Sequence, residues 1–309
     1  GAFIAVGVLL GNLPAGFELP SEKLQLINLG FDMSFKEFIA QPYTLITAIV
    51  GGAVFSLASH GTDQLLVQRV LATRDLKSGQ KAMIWSGVLA ALQFALFMGI
   101  GLLLFMFYEG MSATDMGLAT TDEVFAKFIV EQLPVGISGL IVAALFAAAM
   151  SSLSSSLNSL ASSTTFDLYK PYFGKDNNEA EDLSISRKIT MGWGVILTAS
   201  AIFFAVLQLQ GGERPAIVEL GLGIASYTYG GLLGAFLLGM FFPKPDKTDA
   251  MIGFFFGLIS LLFMVQGPIQ NILPGDGLAI AWPLYTLVGS TIVVIVGSLS
   301  ARIRGSKNG

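Results

Sequence analysis

Long apolar stretches alternating with short polar loops form the main pattern of this chain. Seven stretches have about 20 residues or more, the length that a helix needs to cross the hydrocarbon core of a bilayer. They fall at residues 42–60, 80–109, 134–160, 187–210, 215–242, 248–266 and 279–301. The pattern therefore predicts an all-α polytopic membrane protein. A further apolar run, residues 1–13, is too short to span, and we interpret it as the end of a helix that begins in a longer chain.

Positively charged residues collect in alternate loops. Thirteen of the 17 Lys and Arg residues fall in the segments 61–81, 161–188, 243–249 and 302–309. Because cytoplasmic loops carry an excess of Lys and Arg, this alternation supports seven crossings and predicts a cytoplasmic C-terminus. We expect an integral protein of a cell membrane, the inner membrane of a bacterium.

The amino-acid composition excludes most other classes of protein. Charged residues make up 12% of the chain, about half of the roughly 25% typical of soluble domains. The chain has no Cys and a single His, His60, which excludes disulfides, iron–sulfur clusters and His-cluster metal sites. We find no catalytic motif and no basic patch for nucleic acid, so we expect no enzyme. The expected partners are the lipid bilayer, ions and a small-molecule solute, with no nucleic acid.

Serine residues are concentrated where the third predicted span ends, in AAAMSSLSSSLNSLASS (147–163). Hydroxyls four residues apart lie on one helix face, and several neutral oxygens suit a hard cation such as sodium. The alternative is close helix packing, in which each hydroxyl bonds to a carbonyl of its own helix. The serine density alone leaves the two interpretations about equal.

Two glycines, Gly51 and Gly52, fall in the middle of the first predicted span. A helix broken there would expose backbone groups to a solute, whereas the alternative is close packing beneath a crossing helix. The candidate solute and gate contacts that follow are Phe55, Ser56, Ser59 and His60. His60 could face a proton path, although a hydrogen-bonded interfacial histidine is the simpler interpretation.

Polar residues near two other helix ends also need partners. Asp63 begins a polar group that we expect to end the first span and dock it on its neighbours. The hydroxyls of Tyr227 and Tyr229, in a glycine-rich span, require hydrogen-bond partners if they are buried.

Three segments resemble the sodium/solute symporter family. GTDQLLVQRVLATRD (61–75) is similar to its "TDQ…VQR" segment, and FAAAMSSLSSSLNS with FDLYK (146–170) is similar to its serine-rich segment. SYTYGGLLGAFLLGMFFPK (226–244) is similar to a later helix of the family. The coincidence of separated motifs is more specific than any one of them.

The resemblance implies an inverted-repeat transporter fold of two five-helix halves. Residues 1–309 would form a single transmembrane domain, the C-terminal part of a longer chain. The segment 1–13 would end the first half, 42–242 would form the second half, and 248–301 would be two additional helices.

The resemblance also implies a sodium site and a function. The family's site uses a carbonyl and two hydroxyls, which here fall on Ala148, Ser151 and Ser152. Its sialic acid branch implies a second sodium through Ser151, Ser154 and Ser155. Na+ would be the coupling ion for import of a small polar or anionic organic solute by alternating access.

Departures from the family narrow the expected solute. Ser59, His60, Ala90 and Leu222 stand where the family's sugar symporters have contact residues, so transport of glucose or galactose is not expected. Three alternatives remain open: a proton-coupled carrier with His60 as the titrating group, a sensor that keeps the fold without transport, and a channel.

Overall fold

The computed structural model describes all but a few short segments of the chain. Residues 15, 18, 26, 175–177, 210–215, 265–279 and 308–309 lie outside the description, as do the side chains of 22, 207–209, 264 and 305–307. The described part is helical and contains no strand. Its α-helices are α1 (Ala2–Gly11), α2 (Phe35–Ala40), α3 (Leu45–Thr62), α4 (Gln64–Leu71), α5 (Leu76–Phe107), α6 (Glu123–Gln132), α7 (Val135–Ser163), α8 (Lys170–Phe173), α9 (Glu179–Leu209), α10 (Ile217–Phe241), α11 (Lys247–Met264) and α12 (Tyr285–Lys307).

Six helical segments in the described part are long and apolar enough to cross a membrane. They are Leu45–Thr62, Leu76–Phe107, Val135–Phe173, Glu179–Val206, Ile217–Phe241 and Trp282–Arg304. These six correspond to six of the seven predicted spans. The seventh, 248–266, forms α11, which has 18 residues and ends beside an undescribed segment. The predicted span ends at 210, 215, 266 and 279 lie outside the described residues, as do Lys175 and Arg214.

The helices form two compact units. The first unit comprises Gly1–Phe17 and Ala90–Arg214, and the second comprises Glu18–Leu89 and Pro215–Gly309. The division falls within α5, so this helix contributes to both units. Each unit is described by itself below.

The first unit has an apolar core built by α1, the second half of α5 and α6. Phe128 of α6 is fully buried, and its ring meets that of Phe107 edge-on at 5.5 Å between centroids. α7 begins after Pro134, and its Ser138 hydroxyl donates to the carbonyl of Ile129 at 2.8 Å. This bond fixes the start of the serine-rich helix against α6. The buried core residues are Ala5, Leu9, Ile100, Leu104, Phe128 and Leu133.

Glycines let the helices of the second unit approach closely. The Cα atom of Gly289 in α12 lies 3.1 Å from where a Cβ on Gly230 of α10 would stand. Gly253 and Gly257 of α11 both face Val293 of α12 in the same way. α12 is therefore packed tightly against both α10 and α11, as small residues allow in membrane helices.

Two backbone hydrogen bonds hold the starts of α3 and α12 against the segment that precedes α3. The backbone N–H of Leu45 donates to the carbonyl of Asn28 at 2.7 Å, and Thr44 caps α3 through its side chain. The N–H of Ala281, just before α12, donates to the carbonyl of Ile39 at 2.7 Å. These bonds fix the starts of two spans.

Candidate functional site

The serine-rich segment is a continuous part of α7, which runs without interruption from Val135 to Ser163. Ala148, Ser151, Ser152 and Ser154 are exposed, and Ser155 is partly buried. These residues therefore form a face of a membrane-spanning helix on which little of the described chain packs.

The hydroxyls of this face differ from three hydroxyls of α9 in the same unit. In α9, the hydroxyls of Thr190, Thr198 and Ser200 each donate to the carbonyl four residues earlier, at 2.8–2.9 Å. The four site hydroxyls, by contrast, make no hydrogen bond to any residue that the structure describes. Their oxygens are open to a ligand, and neutral oxygens of this kind can coordinate a hard cation. The four are Ser151, Ser152, Ser154 and Ser155.

A π-helical turn, Thr164–Tyr169, follows the serine face. The Ser163 hydroxyl donates to Asp167 at 2.7 Å, and the indole N–H of Trp193 in α9 donates to the Thr164 hydroxyl at 2.9 Å. The π turn was not predicted from the sequence. Pro171 is the signal that could have indicated it, because proline cannot donate a backbone hydrogen bond to the preceding turn.

The prediction of a helix broken at Gly51 and Gly52 is wrong. α3 is continuous through both glycines. A Cβ on Gly51 would stand 2.6 Å from the carbonyl oxygen of Pro283, whereas one on Gly52 would have no neighbour within 4 Å. Gly51 is thus the close-packing glycine of the alternative interpretation, and the helix ends at Asp63 instead.

The four candidate solute and gate residues occupy two environments. The Phe55 ring lies 5.2 Å from that of Tyr229 and 6.3 Å from that of Trp282, between centroids. Ser56 is exposed on the same helix. The Ser59 hydroxyl donates to the Ser56 carbonyl at 3.1 Å, and its oxygen lies 2.9 Å from His60 Nδ1.

His60 is held by its own helix. Its Nδ1 also lies 3.1 Å from the Ser56 carbonyl oxygen. His60 and Ser59 therefore have hydrogen-bond partners within α3, which matches the simpler interpretation of this histidine. Phe55 and Ser56 instead offer an aromatic ring and an open hydroxyl.

Asp63 is a polar residue that joins two spans of the second unit. It stands between α3 and α4, and accepts from the backbone N–H of Leu65 at 2.8 Å. Its other carboxylate oxygen accepts from the Tyr229 hydroxyl of α10 at 2.6 Å. The sequence indicated a docking role for Asp63 and a partner for Tyr229, but it did not pair them.

Trp282 is a residue that the sequence analysis did not single out. It lies just before α12, its ring meets that of Phe55 edge-on, and its buried indole N–H has no partner among the described residues. The only sequence signal was an aromatic residue at the start of the last span.

Several known proteins are similar to this chain. The sodium-dependent multivitamin transporter of Oryctolagus cuniculus is 34% identical over 244 residues, which are 77% of this chain and 36% of that protein. The sodium/sialic acid symporter SiaT of Proteus mirabilis is 26% identical over 258 residues, 84% of this chain and 49% of that protein. The chain therefore spans half or less of the length of these curated relatives.

One solved structure shares the fold. A Na+-coupled sialic acid symporter in a substrate-bound outward-open state superposes with a TM-score of 0.69 at 24% identity, over 98% of this chain and 59% of that chain. These features define the class of the protein. It is an all-α, multi-pass membrane protein with the fold of a solute transporter. Residues 3–257 match the sodium:solute symporter family, and the chain belongs to that family.

The comparisons confirm the predicted family and the all-α transporter fold. The relatives described above are transporters rather than enzymes, in agreement with the non-enzyme prediction. The division into 1–13, 42–242 and 248–301 stays a prediction, as does every site residue.

Proposed function

We propose that this chain forms part of a sodium-coupled secondary active transporter that imports a small polar or anionic organic solute by alternating access. The observation that carries the proposal is the set of unpaired hydroxyls on α7. The carbonyl of Ala148 and the hydroxyls of Ser151 and Ser152 bind one Na+. Ser151, Ser154 and Ser155 contribute to a second.

The cost of unpaired polar groups inside a membrane supports an ion at this face. A hydroxyl without a partner in an apolar medium costs about 1–3 kcal/mol or more. Four such groups on one spanning helix are therefore expected to meet water, an ion or another part of the longer protein. Neutral hydroxyls coordinate a cation but do not titrate, which favours Na+ over a proton as the coupling ion.

Sodium drives transport if it binds one conformation more tightly than the other. Differential binding shifts the population between outward-open and inward-open states, and release of the ion reverses the shift. In such transporters the ion and solute sites lie near the middle of the membrane, between structural repeats. We place 42–242 in the second repeat and treat 248–301 as additional helices.

The solute is expected to contact α3 near Phe55 and Ser56. An aromatic ring beside an open hydroxyl suits a small organic solute with an apolar body and polar groups. The relatives' own names mention a vitamin and sialic acid, so a solute screen begins with these two classes. We propose a cytoplasmic C-terminus in the inner membrane of a bacterium.

Thermal unfolding tests the sodium site directly. The whole protein is heated in Na+ and in equimolar K+ or choline, as wild type and as Ser152→Ala. We expect a melting temperature that rises with Na+ alone, because an ion that binds only the folded state stabilises it by mass action. Ser152→Ala should require a higher Na+ concentration for the same rise.

Ser200→Ala is the control, because Ser200 also lies on a spanning helix, where it is partly buried, but its hydroxyl bonds to its own helix. It should keep the sodium response of the wild type. An unchanged sodium response in Ser152→Ala and in Ser151→Ala would contradict the proposed site. A response to pH instead of Na+ would favour the proton-coupled carrier.

A further inference from the structure

A groove of about 520 Å³ runs between α11 and α12 in the second unit. It lies where α11 begins and α12 ends, at one end of the membrane-spanning part of these helices. Its volume is within the range of about 300–1,000 Å³ found for small-molecule sites. It is lined by Thr248, Asp249, Ile252, Val296, Leu299, Ser300, Ile303 and Arg304.

The apolar part of the groove opens outward. Ile252, Leu299 and Ile303 are 46%, 50% and 61% exposed. Leu299 and Ile303 lie on α12, which is apolar and long enough to span a membrane, so we expect them to face hydrocarbon rather than water. Acyl chains are the surrounding medium at that depth. A lipid acyl chain of the membrane is therefore the expected occupant of the groove.

The polar end of the groove is built around a buried carboxylate. Asp249 is 1% exposed and accepts from the Ser300 hydroxyl at 2.7 Å and from Arg304 Nη2 at 2.6 Å. The other terminal nitrogen of Arg304 pairs with Asp246. Two carboxylates thus hold the guanidinium in one orientation at the mouth of the groove.

We call Arg304, which lines the groove, and its ion-pair partner Asp246 the rim, and together they carry both signs of charge. The side chains of Asp246 and Arg304 are 44% and 41% exposed. A guanidinium has five N–H donors, so Arg304 keeps donors beyond the two used by its carboxylate partners. Asp246 Oδ1 accepts from the backbone N–H groups of Thr248 and Asp249, and Oδ2, which pairs with Arg304, keeps one acceptor position. The rim therefore complements a group that contains an anion and a hydrogen-bond-donating cation.

Phosphatidylethanolamine has this combination. Its phosphate matches Arg304, and its primary ammonium can donate hydrogen bonds to Asp246, as a lysine ammonium does. The quaternary ammonium of phosphatidylcholine has no N–H to donate. The anionic phosphatidylglycerol would meet two carboxylates and a single arginine, which is unfavourable.

We propose that the groove binds one phosphatidylethanolamine molecule of the surrounding leaflet. An acyl chain lies along Ile252 and Leu299, the phosphate lies on Arg304, and the ammonium lies on Asp246. None of the residues that line the groove belongs to the proposed sodium or solute sites of this chain, so the two proposals can fail independently.

Native mass spectrometry of the whole protein tests the site. The detergent-purified protein is titrated with phosphatidylethanolamine, phosphatidylcholine and phosphatidylglycerol that carry identical acyl chains. We expect one phosphatidylethanolamine to bind about tenfold more tightly than either of the others, since a hydrogen bond to a charged group contributes about that factor.

Three variants distinguish the contact with the lipid acyl chain from the contact with the lipid headgroup. Leu299→Trp fills the groove and should abolish the tight binding, whereas Ile295→Trp is the matched control. Ile295 lies on the same helix with a similar exposure, 52% against 50%, and is outside the groove lining. Asp246→Asn keeps a helix-capping side chain but removes the charge, so it should abolish the preference over phosphatidylcholine.

Several results would overturn the proposal. Equal affinity of the wild type for the three lipids, or tighter binding of phosphatidylglycerol, would show that the mixed-charge rim does not select the headgroup. Unchanged phosphatidylethanolamine binding in Leu299→Trp would show that the lipid binds elsewhere. A dimer that Leu299→Trp dissociates would make the groove an interface between copies instead.

Discussion

Tyr229 and Asp63 join α10 to the end of α3 through a hydrogen bond of 2.6 Å. The acceptor is a carboxylate that also receives the backbone N–H of Leu65, so one side chain both begins α4 and fixes α10. Tyr229→Phe removes the only donor from α10 that the described residues show on Asp63. We expect it to lower the free energy of unfolding by about 1–3 kcal/mol, measured by thermal unfolding in detergent.

Thr228→Val is the control for this change. Thr228 is exposed on the same helix, and its hydroxyl bonds to the carbonyl of Ala225 in that helix. It should have little effect. Asp63→Asn keeps an acceptor and should cost less than Asp63→Ala. A melting temperature of Tyr229→Phe equal to that of Thr228→Val would mean that the bond does not stabilise the fold.

At single residues, the sequence could show that a side chain requires a hydrogen-bond partner, but it could not identify that partner. A tyrosine in an apolar span must place its hydroxyl on an acceptor, and that argument identified Tyr229 correctly. The acceptor is 166 residues away in the chain, and nothing local indicates it. The serine face is the opposite case, because its lack of partners within the described residues is visible only in the structure, where hydroxyls of α9 are bonded to their own helix.

At the scale of a helix, adjacent glycines in α3 have opposite surroundings. A Cβ on Gly51 would collide with the Pro283 carbonyl, whereas one on Gly52 would meet nothing within 4 Å. We expect Gly51→Ala to destabilise the protein by about 1–3 kcal/mol through overpacking. Gly52→Ala should be neutral or stabilising by up to about 1 kcal/mol, because alanine favours the helix.

The two variants control for each other, since they make the same change one residue apart. Both are compared by thermal unfolding and by solute uptake. Equal destabilisation by the two would contradict the packing seen at Pro283. Loss of uptake with normal stability in Gly52→Ala would restore a hinge role for this part of α3.

Periodicity and length were enough to predict the spans but not their internal irregularities. The hydrocarbon thickness fixes how long an apolar helix must be, so six spans could be placed, although the helix predicted to begin at 187 begins eight residues earlier, at Glu179. Whether α3 breaks at Gly51 or at Asp63 depends on what packs against each position, which is tertiary information. The π turn after Ser163 contacts α9 through Trp193, and its one local signal was Pro171.

At the scale of the whole molecule, the sequence predicted the family because its motifs are local and separated. The segments 61–75 and 146–170 could each be recognised without knowing what lies between them, and residues 3–257 match the family. The division into two units within α5 could not be predicted, because a continuous apolar helix gives no sign of which neighbours each half will take.

The alternation of positive charge predicts the sidedness of the whole chain, and the absence of cysteine makes that prediction easy to test. In a background without other cysteines, Arg74→Cys reports one side of the membrane and Thr114→Cys the other, since both positions are exposed and α5 separates them. A membrane-impermeant maleimide applied to intact cells should label Thr114→Cys and leave Arg74→Cys unmodified until the cells are permeabilised. Lys244→Cys, also exposed, should behave as Arg74→Cys because both lie in lysine- and arginine-rich loops. Labelling of Arg74→Cys from outside would reverse the orientation, and different sides for Arg74 and Lys244 would show that the number of crossings between them is odd.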